Sequence, residues 1–335
     1  MKKNLYALLV FGLAAGAAHS AHAQQVAQLS QYMNNNYLLN PAAAGTEDYI
    51  DVKVSYRAQW TGIKDAPQTY YVSANSALGA LHTQKKRTKY DWRRGFHAIG
   101  GTVYRDVTGP TSRTFLSGSY AYNLPLTRTL RLALGASLGV QQYAIDGNKL
   151  EYFSGTQGMS EAARVPDASI GVWLYSPSFY LGISSTQLLN NDLDLGYTNA
   201  SNASRAIFAN RLERHYFGTA GVRLPLSDDV SIVPSVLVKY MPLELTKARK
   251  RETAMAVDAN VKIKIKDVVF IGASYRIDDA FVGMVGVNFS PTASLSYSYD
   301  ATTSDLAGYQ LGGHEVLLGL KLKKSNKVVC ADRFW

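Results

Sequence analysis

Three patterns in the sequence have residue types that could do chemistry. Gly135-Ala136-Ser137-Leu138-Gly139 has the G-x-S-x-G spacing of a nucleophile turn, where a strained strand-to-helix bend exposes a serine. Here it lies inside an alternating run, Leu130 to Gln141, so Ser137 belongs on the polar face of a strand. Beyond residue 23 the histidines are His82, His97, His215 and His314, with no H-E-x-x-H and no pair at helical metal spacing. They are expected as polar residues of a rim or lumen. Asp192-Leu193-Asp194-Leu195-Gly196 opens like a calcium loop but lacks the later ligands and the terminal Glu. One cysteine, Cys330, excludes a disulfide scaffold and a Cys-based zinc site. These readings assign no catalytic residue, cofactor or metal, and the expectation is a protein that is not an enzyme.

A fourth pattern is electrostatic. The segment Gly79–Gly95 carries Lys85, Lys86, Arg87, Lys89, Arg93 and Arg94. It is either a solvated loop or a docking site for an acidic partner at the periplasm or membrane surface. The whole chain has a net charge of +10. In an exported protein that excess suits anionic lipid headgroups, surface polysaccharide or acidic partners better than nucleic acid.

Export is expected from the first residues. Lys2 and Lys3 precede an apolar run from Leu5 to Ala18, and Ala21-His22-Ala23 is a small-x-small cleavage site before Gln24. Residues 1–23 therefore read as a signal peptide. No later stretch offers eighteen uncharged apolar residues, which excludes a helical membrane protein. Charged residues make up only 18%, and tyrosines number 22. That composition suits a sheet with one greasy face and aromatic rims.

The elements that must position these residues show a period of two. Leu130, Leu132, Leu134, Leu138 and Val140 fall on one face, and Arg131, Ser137 and Gln141 on the other. Val52, Val54 and Tyr56 alternate with Lys53, Ser55 and Arg57; Val316, Leu318, Leu320 and Leu322 alternate with Glu315, Gly319, Lys321 and Lys323. Such runs are long enough to cross a bilayer when tilted, which takes ~9–11 residues. Counting them predicts strands near 51–59, 69–78, 96–106, 113–123, 130–143, 165–175, 178–187, 214–224, 230–240, 252–265, 268–277, 280–289, 293–300 and 313–323. The fold class is thus all-β, a transmembrane antiparallel barrel of about fourteen strands. Its connections alternate between short turns, three of them containing Pro, and mostly longer loops, as periplasmic and outer ends require; the short Asp278-Asp279 outer connection and the long Gly79–Gly95 periplasmic one are exceptions. The expected division is a signal peptide (1–23), an N-terminal periplasmic or plug segment (24–50), the barrel (51–323) and a tail (324–335).

The start of the expected mature chain resembles the type IX secretion system membrane proteins of the PorP/SprF family of Bacteroidetes. The resemblance rests on Ser30-Gln31-Tyr32 within Leu29–Met33, on Asn40-Pro41 and the small residues to Gly45, and on Tyr56-Arg57-Ala58-Gln59-Trp60-Thr61-Gly62. Ala66-Pro67 and Ser73-Ala74 follow in order. An aromatic is usual in the family at the place of Ala43, and a His near Asn75. The resemblance implies an outer-membrane barrel working with type IX components, including periplasmic ring proteins and lipoproteins. It also implies a large secreted cargo, or that cargo's C-terminal domain, as a partner, with a link to gliding adhesins in some bacteria. Arg57 and Gln59 are expected to face the lumen and hold the N-terminal segment through its backbone. A passive porin for small solutes is the alternative.

Overall fold

In the computed structural model the described residues are 28–78, 94–149, 160–194, 209–243 and 252–322. Fourteen strands form the wall. They are β1 (Ile50–Ala58), β2 (Gln68–Ala77), β3 (Phe96–Thr108), β4 (Thr111–Pro125), β5 (Arg131–Ile145), β6 (Glu161–Tyr175) and β7 (Phe179–Thr186). The second half holds β8 (His215–Val222), β9 (Val230–Leu243), β10 (Glu252–Ile265), β11 (Val269–Arg276), β12 (Ala280–Ser290), β13 (Ala293–Thr302) and β14 (Gly313–Leu322). Each strand pairs antiparallel with the next, and β1 pairs with β14 from Ile50↔Leu322 to Ala58↔His314. The sheet therefore closes on itself and has no long free edge. All fourteen strands predicted from the alternating pattern are present.

Alternation sets the two faces as expected. On β5, Leu134, Leu138 and Val140 are 47%, 73% and 51% exposed, while Ala133 and Gln141 are fully buried. Outward aromatics gather near the strand ends. Tyr56 lies 4.9 Å from Tyr70, and Tyr216 lies 6.1 Å from Tyr240, between ring centres. They read as a membrane-interface girdle. Among the described residues no helix is long and apolar enough to cross a membrane.

One stretch of wall is uneven. β6 pairs with β7 only from Ile170 to Tyr175, so its first half, paired with β5 on the other side, has no full strand on the β7 side. The following loop caps that edge: Leu188 N donates to Ala168 O at 3.1 Å, and the Asn191 side chain donates to Pro166 O. Pro166 has no N–H to leave exposed.

The lumen is not wet throughout. Each of three buried apolar clusters contains residues from the segment before β1. Tyr37 and Ala42–Ala44 pack with Ala98, Ala121, Ala133 and Trp173; Tyr32, Met33 and Leu39 with Phe217, Leu237, Val282 and Met284; Leu29 with Tyr71, Tyr104 and Leu317. The barrel's hydrophobic core is thus its own N-terminal segment. Val282 and Met284 face inward because the plug gives them something apolar to bury against.

Candidate functional site: the luminal plug and its latch

The segment Gln28–Tyr49 runs the length of the lumen. Gln28 and Ser30 meet residues at the ends of β1, β11 and β13, whereas Gly45 N donates to Asn75 Oδ1 at 2.9 Å near the opposite end of β2. Three short 3-10 turns, Tyr32–Asn34, Asn36–Leu38 and Pro41–Ala43, fold it compactly. Asn40 explains the last of them. Its Oδ1 accepts from Ala42 N at 2.9 Å, and Pro41 takes the first turn position, where a missing N–H costs nothing. The same side chain donates to Val172 O at 3.0 Å and Ile183 O at 3.2 Å, tying the turn to β6 and β7.

Small residues make this packing possible. Ala42 and Ala44 are fully buried. A Cβ on Gly135 would collide with the Ala42 backbone. Gly45 has φ +67°, and a Cβ there would stand 2.5 Å from Ala98 Cβ. Gly135 thus serves close approach in the strand rather than a nucleophile turn, and Ser137 faces the lumen.

At the other end of the plug sits a buried polar latch centred on Ser30. Its N–H donates to Glu315 Oε2 at 2.8 Å, its hydroxyl donates to Asp300 Oδ2 at 2.6 Å, and the hydroxyl accepts from Arg57 Nη1 at 2.7 Å. Arg57 Nη2 donates to Asp300 Oδ2 at 2.7 Å. Arg276 extends the network, meeting Asp258 at 3.0 Å, Asp279 at 2.8 Å and Gln28 Oε1 at 2.8 Å. Lys239 meets the other oxygen of Asp258 at 3.1 Å. Gln31 completes it, donating to Glu315 O at 3.1 Å and accepting from Ser296 Oγ at 2.6 Å. Arg57, Asp258 and Glu315 are each 1% exposed or less. Charges this deep persist only when paired and hydrogen-bonded. The arrangement can therefore hold a segment in place, tightly and specifically.

Further contacts run down the plug. Asn35 Nδ2 donates to Ser73 Oγ at 3.0 Å, Lys262 Nζ to Asn34 Oδ1 at 3.2 Å, and Ser184 Oγ to Leu39 O at 2.7 Å. Tyr32 OH donates to Asp258 O at 3.3 Å.

The residues singled out in the sequence fall in three places. Ser30, Gln31, Tyr32, Asn40, Pro41 and Gly45 are in the plug, and Arg57 reaches it from β1. The bond from Arg57 goes to the Ser30 side chain, and the plug backbone at Ser30 is held by Glu315 instead. Gln59 does not join them. β1 ends at Ala58, so the alternation no longer applies, and Gln59 N donates to Pro67 O at 2.9 Å in the turn to β2. Trp60, Gly62, Ala66 and Pro67 lie in that turn, which Thr61 ties to Gly312 O at 2.9 Å. Tyr56 faces outward. Lys85, Lys86, Arg87, Lys89 and Arg93 lie outside the described residues, and Arg94 is exposed before β3. His215 is buried in the lumen, whereas His97 and His314 sit among outward tyrosines. Asp192–Asp194 forms a short strand paired with Ala209–Arg211. Sequence reasoning missed Asp300 and Arg276 as partners of Ser30. Their inward position near strand ends was legible, but their meeting on Ser30 required the barrel's closure.

The chain is similar to one protein family and, more distantly, to several solved structures. The family described as "Type IX secretion system membrane protein PorP/SprF" matches residues 21–320. No curated protein matches. Among solved structures, the Ralstonia pickettii toluene transporter TbuX is similar at 9% identity and a TM-score of 0.45, covering 86% of this chain and 92% of that one. The Acinetobacter baumannii outer membrane protein Omp33 is similar at 8% identity and a TM-score of 0.44, covering 82% and 99%. The translocator domain of the autotransporter NalP from Neisseria meningitidis is similar at 10% identity and a TM-score of 0.42, covering 88% and 95%. A closed fourteen-stranded barrel with a family match over most of its length leads to one assignment: the chain belongs to the PorP/SprF family of type IX secretion system membrane proteins, and its place is the outer membrane.

Proposed function

We propose that this barrel acts as a plugged, binding scaffold in type IX secretion, supporting export or surface retention of a large secreted protein such as an adhesin. The single observation that carries this reading is the plug. A segment that supplies every described core cluster and is latched by buried ion pairs suits a rigid body better than an open conduit. Partners are then bound on its ends and rim. Periplasmic ring proteins and lipoproteins belong at the inner end, and the cargo or its C-terminal domain at the outer end. The basic Lys85–Arg94 stretch is the inner-end docking candidate for an acidic partner.

The test is a deletion strain examined by surface proteomics. Loss of at least one large surface protein, retained inside or shed to the medium and restored by the gene in trans, is the expected result. An unchanged surface with reduced small-solute uptake would favour the porin reading instead.

A further inference from the structure

Between the plug and the β3–β8 wall lies a cavity of about 110 Å³. Its apolar and aromatic lining includes Leu29 and Leu38 of the plug and Tyr104, Phe115 and Phe217 of the wall. Beside them on the wall strands are the hydroxyls of Thr102, Ser117, Ser137, Ser169 and Thr186. Two charged groups join the lining, Arg113 and Asp167.

The charged groups differ in what already holds them. Arg113 donates to Gln141 Oε1 at 2.9 Å and lies 5.9 Å and 5.6 Å from the rings of Tyr104 and Tyr143. Gln187 also accepts from it at 2.9 Å once its amide is oriented to donate to Glu213 O and His215 Nδ1. Arg113 is therefore fixed in position. Asp167 is 5% exposed, yet among the described residues its one side-chain hydrogen bond is with the adjacent Ala168 amide, at 2.8 Å. A buried carboxylate with spare acceptor capacity, facing a cavity, calls for donors from a ligand.

We infer that this cavity is a binding site for a neutral polyhydroxyl ring, the terminal sugar of a glycan or a free monosaccharide. Asp167 accepts from two ring hydroxyls, Arg113 donates to a third oxygen, and the wall hydroxyls serve as donors or acceptors as needed. Phe115 and Tyr104 cover the apolar C–H face of the ring. A purely apolar ligand would leave Asp167 without partners. An anionic one would be repelled by it. The site is independent of the secretion role proposed above.

The experiment uses the purified full chain in a detergent without a sugar headgroup. Saturation-transfer NMR is recorded with D-glucose, D-galactose and N-acetylglucosamine, and with benzylamine as a cationic probe. Saturable binding of at least one sugar is expected. Asp167→Asn should weaken it roughly tenfold or more, since a site built around a hydrogen-bonding partner loses much when one is altered. Ser137→Leu, which fills the cavity, should abolish it, with heat-modifiable gel migration reporting that each variant is folded. No saturable sugar signal, the outcome if the hydroxyls hold only water, overturns the proposal. So does sugar binding that Asp167→Asn leaves unchanged, or binding of benzylamine alone. Free sugar and a glycan end are separated by repeating the titration with a short oligosaccharide of the sugar that binds.

Discussion

Arg57 shows what a single buried side chain can be asked to do. It neutralises Asp300, faces Glu315 at 3.5 Å and orients Ser30 at 2.7 Å. Arg57→Met would leave two carboxylates buried without their main cation. A loss of about 3–5 kcal/mol is expected, the range for breaking one side of a buried pair. Urea titration followed by heat-modifiable migration would measure it. Arg57→Lys should recover only part, because an ammonium cannot reproduce the fork to Ser30 and Asp300 together. Glu47, just before β1, makes a prediction of the opposite electrostatic kind. Burial first, and then nearby Asp51, push its carboxyl up to about 7. Its proton is bound more tightly in the folded state, so its contribution is fully present below the ordinary glutamate range and is lost as pH rises through about 7. Glu47→Gln should therefore flatten the fall in stability between pH 5 and 8, and an unchanged slope would dismiss the group. Arg57 was readable in the sequence as an inward residue of an alternating strand. Its partners were not, because β13 and β14 bring Asp300 and Glu315 to it only through pairings that no local pattern encodes.

At the scale of elements, wall and plug follow different rules. The strands were legible because a bilayer outside and a filled lumen inside impose a period of two on nearly every residue. The plug has no such period. Its turns depend on Asn40, Pro41 and the small residues to Gly45, which sequence alone left either inside the lumen or beneath the barrel. Two substitutions separate the faces. Leu134→Arg puts a charge in the lipid belt at about 2–4 kcal/mol, whereas Gly135→Val, the next residue, drives a side chain into the Ala42 backbone. Both should lower folding yield, but through different partners. Removing the plug backbone itself, by deleting residues 28–45, should abolish the added penalty of Gly135→Val and leave that of Leu134→Arg unchanged, with refolding yield into lipid vesicles as the readout. Equal rescue of both would mean that the inward and outward assignments fail.

For the whole molecule, the question is whether the closed wall conducts. Three clusters spread round the circumference are all completed by one segment. Planar bilayers containing the intact protein should therefore be electrically quiet. A steady, porin-like conductance from the intact protein would overturn the plugged reading. The lumen's charges argue the same way. Arg276 and Asp258 are spent on each other and on the plug rather than on a permeating ion. Period-two patterning gave the expectation of a barrel at this scale, but whether its lumen stood open or filled became visible only with the packing.

The latch also bears on how the protein is made. Ser30 is among the earliest of the described residues to be synthesised, and its partners Asp300 and Glu315 are 270 and 285 residues later. Contacts of such sequence separation form late, because the loop they close is nearly the whole chain. The first turn of the plug thus waits, unsatisfied, until β13 and β14 have been laid against β1. A one-residue slip at the β1–β14 seam would turn Arg57 or Glu315 to the lipid and leave Ser30 without its partners. The latch acts as a proofreading step on closure, and a barrel that has closed out of register would carry an unpaired charge into the membrane instead of a finished core.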